Sequence, residues 1–144
     1  MQEYLDFISN NPILAMVWAG IVVALIANIV KSKTAGYQEV SANEVTNMLN
    51  REDGVVVDIR SKDEFKKGHI TGAVHILPSD IKNGSTASLE KHKSNPIIVV
   101  CKTGHTAQAS ANELKKAGFE KVFVLKSGLI AWNEANLPLI RGKK

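Results

Sequence analysis

The feature that most restricts this chain is an uncharged apolar run, PILAMVWAGIVVALIANIV, at residues 12–30, with no Asp, Glu, Lys or Arg and a single amide, Asn28. As a helix it approaches the ~30 Å hydrocarbon layer of a bilayer, which about 20 apolar residues cross. A buried core helix is the alternative, but such a helix is shorter and one-sided, whereas this run is apolar all round. A cleaved signal peptide fits less well, because Glu3 and Asp6 stand where basic residues are wanted and no small-x-small site follows promptly. The expected division is a flank at 1–11, a single-pass transmembrane helix in contact with lipid at 12–30, a tether KSKTAG at 31–36, one domain at 37–141 and a basic tail at 142–144. Glu3 and Asp6 before the run, and Lys31 and Lys33 after it, orient the span in the cell (inner or plasma) membrane. The N-terminus is then outside and the domain cytoplasmic.

The 144 residues leave room for one ordinary domain beyond the span. All 18 Lys and Arg lie from Lys31 onward, together with every acid except Glu3 and Asp6. A modestly basic domain is drawn towards an anionic leaflet, and no basic stripe with interleaved aromatics suggests a nucleic-acid partner. The single cysteine, Cys101, excludes an intramolecular disulfide; facing a reducing cytosol, it stays available for chemistry.

Beyond Gly36, short apolar runs alternate with helical patterns, which predicts an α/β fold with a doubly wound parallel sheet. Strands are expected at 37–40, 55–57, 73–77, 97–100 and 121–125, the fourth being the clearest because Pro96 precedes four β-branched residues. Ser41 with Glu44 and Ser61 with Glu64 read as capping boxes, opening a helix that ends near Asn50 and another that stops at Gly68. Further helices are expected within 79–93, at 105–117 with Gly118 closing it, and from Ser127-Gly128 through Trp132.

Cys101 follows the clearest strand and precedes the best helix, in Cys101-Lys102-Thr103-Gly104-His105-Thr106. Open parallel sheets bind ligands at the carboxyl ends of their strands. A turn here aims backbone N–H groups at one point beside a helix N-terminus, a cradle for an anion. That anion is the Cys101 thiolate, a persulfide on it, or the sulfonate end of a donor such as thiosulfate. Lys102 adds charge, Gly104 permits a tight loop, Thr106 offers a hydroxyl, and His105 can give or take a proton at the rim. The bland alternative for Cys101 is an inert core thiol, and for its neighbours solvated loop residues. A metal site is not expected, since Cys101 and His105 fall short of four ligands. Nor does a nucleophile elbow support a serine triad. Phosphate-binding cysteine loops carry Arg six residues after the cysteine; Ala107 stands there, the bidentate clamp is missing, and the loop is one residue shorter.

The segments VVVDIR at 55–60, EFKKGHITGA at 64–73, CKTGHTA at 101–107, AGFEKVFVLKSG at 117–128 and then Ala131-Trp132 together resemble the rhodanese (thiosulfate sulfurtransferase homology) domain. They cover nearly all of residues 37–140 in the family's order. The resemblance implies a five-stranded parallel sheet flanked by helices and a catalytic cysteine, Cys101, that cycles through a persulfide. It makes residues 102–106 the anion cradle, Asp58 and Arg60 supporting residues that brace the site, and Glu64, Gly68, His69 and Gly72 parts of a structural motif. Many members carry Arg where this chain has Thr106, and Lys102 replaces a common Arg, keeping charge without the planar fork. The implied activity moves sulfane sulfur from a small donor to a thiol or cyanide, with no cofactor beyond the covalent persulfide. A reading of another class makes the domain a membrane-tethered binding module for a membrane-protein partner. Small residues four apart, at Ala15/Ala19 and Gly20/Ala24, permit close helix contact there.

Overall fold

Five short runs rich in β-branched residues pair in parallel into one sheet. They are β1 (Gln38–Val40), β2 (Val55–Asp58), β3 (Val74–His75), β4 (Ile97–Val100) and β5 (Val122–Leu125), in the order β1-β5-β4-β2-β3. The computed structural model describes residues 1–142, without the side chains of Ser32 and Lys33, so Lys143 and Lys144 of the expected basic tail lie outside the described residues. It divides into two units, Met1–Ala35 and the domain from Gly36 onward.

Within the domain, β4 is central and buried on both faces, as a strand of four β-branched residues has to be. Alternate side chains feed two cores. Ile97, Val99 and Cys101 join Val57, Val124, Ala107, Ala111 and Leu114, while Ile98 and Val100 join Val56, Val45, Phe65, Leu125 and Trp132. The first core is covered by α5 (Pro78–Lys82), a 3-10 helix (Ala87–His92) and α6 (His105–Lys116). The second is covered by α3 (Ala42–Arg51), α4 (Lys62–Lys67) and α7 (Gly128–Glu134). The register sets Asp58 beside Val100 and Val99 beside Val124, so the carboxyl ends of β2, β4 and β5 finish level with one another.

Both expected capping boxes form. Ser41 holds Glu44 below the ordinary carboxylate value, first through its backbone N–H and then its hydroxyl. For Glu64 the Ser61 hydroxyl acts first, then the backbone N–H, with Arg60 and Lys102 adding positive charge.

Three expectations change. The single helix within 79–93 is two pieces, α5 and the 3-10 helix, because Gly84 takes a φ of +79° that ends the helix, while Ile81 and Leu89 are separately buried. The third strand shrinks to Val74–His75 because Pro78 already opens α5. In the first unit, the flank contains a helix, α1 (Gln2–Asn10), and the apolar helix α2 runs Pro12–Thr34, so Lys31 to Thr34 of the expected tether are helical. Nothing in that stretch breaks a helix, and the Thr34 hydroxyl donates to the Val30 carbonyl at 2.8 Å. Residues Pro12–Lys31 are long and apolar enough to cross a membrane and are exposed all round.

Ser61→Ala removes a cap and is expected to cost about 1 kcal/mol in urea unfolding at pH 7. Because Glu64 is held low when folded, its contribution is complete above the ordinary value of 4.5 and lost as pH falls below it. The same comparison at pH 3 should therefore give a smaller difference.

Candidate active site around Cys101

At the end of β4 the chain turns sharply, and Cys101 is left with its side chain on the α6 face, 4% exposed. The Gly104 N–H donates to Cys101 Sγ at 2.9 Å, which folds the loop around the sulfur. Gly104 is the N-cap of α6 with φ +93°, a conformation that favours glycine. A Cβ there would also lie 3.1 Å from the Ser127 nitrogen and 3.4 Å from the Leu125 carbonyl oxygen. Lys102, Thr103, His105 and Thr106 are exposed around this buried sulfur, whereas Gly104 and Ala107 are buried. The sequence-predicted loop is thus one continuous structure, with a polar rim and a sulfur at its floor. The positive charge of Lys102 adds, after the Ser61 hydrogen bonds and Arg60, to holding the Glu64 carboxyl low.

Behind the loop stands α7. The Leu129 N–H donates to the Cys101 carbonyl at 3.0 Å and the Ile130 N–H to the Lys102 carbonyl at 3.4 Å. These two donors belong to the first turn of a helix, where N–H groups lack intrahelical partners, so the helix start and the loop satisfy each other. The approach is close: a Cβ on Gly128, whose φ is +58°, would overlap the Cys101 carbonyl oxygen and sit 2.7 Å from the Lys102 carbonyl. Buried Leu129 and Trp132 fix α7 in the core, and the Trp132 indole donates to the Pro138 carbonyl at 3.1 Å. The Ser127-Gly128 pair was expected only to open a helix. The signal for more was a glycine three residues after a strand end, but its partner lies far away in sequence.

Asp58 and Arg60 form a two-pronged ion pair, with Nε 3.0 Å from Oδ1 and a terminal guanidinium nitrogen 2.7 Å from Oδ2. Asp58 is 1% and Arg60 11% exposed. The Arg60 backbone N–H also donates to Asp58 at 3.0 Å, and its guanidinium donates to the Gly68 carbonyl at 2.6 Å. The pair therefore ties the end of β2 to the end of α4. His75, which no motif singled out, donates through Nε2 to the Arg60 carbonyl at 2.7 Å. His69 is fully buried, stacks on Phe65 at 3.8 Å and donates through Nδ1 to the Phe65 carbonyl at 2.7 Å. Its backbone pairs with Ile140 in both directions, at 2.9 and 2.8 Å.

Two substitutions test this framework. Arg60→Ala strands a buried carboxylate and is expected to cost about 3–5 kcal/mol, read as a lowered urea midpoint. Gly128→Ala forces a positive φ on alanine, at roughly 1–3 kcal/mol, and pushes the loop away from α7. In that variant native alkylation of Cys101 should be faster than in the parent protein, because the sulfur loses its enclosure.

The comparisons agree with this geometry. The profile of the rhodanese-like domain matches residues 41–135. The uncharacterized protein YibN of Escherichia coli K12 is 47% identical over 143 residues, covering 99% of this chain and all of that protein. The thiosulfate sulfurtransferase GlpE of Pseudoalteromonas translucida is 32% identical over 99 residues, covering 69% of this chain and 91% of that enzyme. Among solved structures, the rhodanese-like domain of the Alr3790 protein from Anabaena superposes with a TM-score of 0.64 at 29% identity, over 72% of this chain and 79% of that one. With its parallel sheet, its helix-covered faces and its cysteine loop at the end of β4, the chain belongs to the rhodanese-like domain family.

Proposed function

We propose that this protein is a membrane-anchored sulfurtransferase that carries sulfane sulfur on Cys101. The observation that carries this reading is the Cys101 sulfur itself, which sits at the carboxyl end of the central strand and takes the Gly104 N–H at 2.9 Å. Kinship with a thiosulfate sulfurtransferase, GlpE, supports the donor class. In the first half-reaction the Cys101 thiolate attacks the outer sulfur of thiosulfate. A new S–S bond forms, the old one breaks, and sulfite leaves with the electron pair. In the second, a thiolate or cyanide attacks the terminal sulfur of the persulfide, takes that sulfur, and returns the Cys101 thiolate. This is covalent catalysis in two steps, and ping-pong kinetics follow from it.

The residues around the sulfur have separate tasks in this scheme. Backbone N–H groups of the loop from Lys102 to Thr106 stabilise negative charge on the transferred sulfur. The exposed Lys102 draws in an anionic donor, and Thr103, His105 and Thr106 supply polar contacts where donor and acceptor meet. Asp58 and Arg60 act through the frame they hold. No metal or further cofactor takes part. The helix α2 holds the chain in the cell membrane with its N-terminus outside and the domain cytoplasmic, a reading supported by its all-round exposure and by Lys31 at its end.

One observation favours a second reading, a tethered binding module for a membrane-protein partner: the thiol is only 4% exposed. A single experiment separates the two. The full chain in detergent is incubated with thiosulfate and weighed. Gain of one sulfur atom by the wild type, and none by Cys101→Ser, is the expected result. If no thiosulfate or persulfide donor adds that mass, the sulfurtransferase reading is wrong and the module reading stands.

A further inference from the structure

The first unit contains a helix that the sulfur chemistry does not use. We propose that α1 is an interfacial helix, lying along the membrane boundary at the outer end of α2 with its apolar face against lipid; this rests on reading α2 as a span. At 100° per residue, Tyr4, Leu5, Phe7 and Ile8 fall on one arc of α1, while Gln2, Glu3, Asp6, Ser9 and Asn10 fall on the other. The four apolar side chains are 51–75% exposed, so the first unit itself leaves them largely uncovered.

The two helices differ in a way that a single planar boundary explains. The helix α1 is apolar on one side only, which suits a surface with water above and hydrocarbon below. The helix α2 is apolar all round and exposed all round, which suits the interior. A protein groove would account for α1 alone. The apolar surfaces are also continuous: a groove of about 710 Å³ between the helices is lined by Tyr4, Phe7 and Ile8 from α1 and by Leu14, Trp18 and Ile21 from α2. Lipid acyl chains are the occupant to which this surface commits. Tyr4 and Trp18, at the same end of the unit, are the residue types that favour the headgroup level.

The junction lets α1 take its own direction. Asn11 leaves helical geometry, with φ −132° and ψ 60°, and Pro12 starts α2. Asn11 donates from both its backbone and its side chain to the Phe7 carbonyl, at 3.0 and 3.1 Å, which closes α1 as a separate element. The charged groups on α1's polar arc are Glu3 and Asp6, so the apolar face, rather than attraction to anionic headgroups, holds the helix down. Zwitterionic lipid is therefore sufficient.

The test uses the full chain with Cys101→Ser, reconstituted in phosphatidylcholine vesicles and carrying one nitroxide-labelled cysteine at a time. The substitutions are Tyr4→Cys, Leu5→Cys and Ile8→Cys on the apolar arc, and Glu3→Cys and Asp6→Cys on the polar arc. The expected result is a several-fold higher ratio of oxygen to nickel-complex accessibility on the apolar arc, with helical periodicity. Equal water access at all five positions overturns the proposal. So does shielding of the apolar positions from both reagents, which would mean a second copy or a protein partner. If the chain fails to float with vesicles, the span and the interfacial helix both fall; if it floats without periodicity, only the interfacial helix does.

Discussion

The complete burial of β4 is the constraint on which the rest of the domain depends. Its four β-branched residues leave no face that water can wet, so both sides need helices and both edges need strands. The edges are taken by β2 and β5, and the period-2 alternation of side chains divides the interior into two cores. A strand so enclosed opens only at its ends. Cys101 is the first residue past the carboxyl end, which makes its loop the place where buried scaffold meets solvent.

Much of this was legible in the sequence, for identifiable reasons. Pro96 before four β-branched residues marks β4, and two Ser-x-x-Glu pairs mark helix starts that the structure reproduces as capping boxes. These are local signals, carried by residues within a turn of one another. Gly84 is equally visible as a residue, but only its positive φ makes it the break between α5 and the 3-10 helix. The apolar arc of α1 is written in the sequence as well, as Tyr4, Leu5, Phe7 and Ile8 interleaved with Glu3 and Asp6.

The site divides along the same line. The span of the cysteine loop, with Gly104 inside it, follows from the order of residues. Its support does not, because the partners come from distant segments: Leu129 N–H to Cys101, and His75 to the Arg60 carbonyl. Neither contact leaves a periodic or compositional trace. The carboxylate of Asp58 shows the same limit, since a strand-end acid is easy to notice while its clamp on the Gly68 carbonyl, through Arg60, requires the fold.

The seat of the loop on α7 has a consequence for how such a domain diversifies. Two carbonyls of the loop are matched to two N–H groups of a helix that is itself anchored by Leu129 and Trp132, and Gly128 leaves no slack between them. The start of the loop and the position of α7 are thus a coupled pair. An insertion between Cys101 and Lys102 would put their carbonyls out of step with α7, whereas one placed after Lys102 would leave that seat intact, so the part of the loop beyond Lys102 is the part free to vary in length.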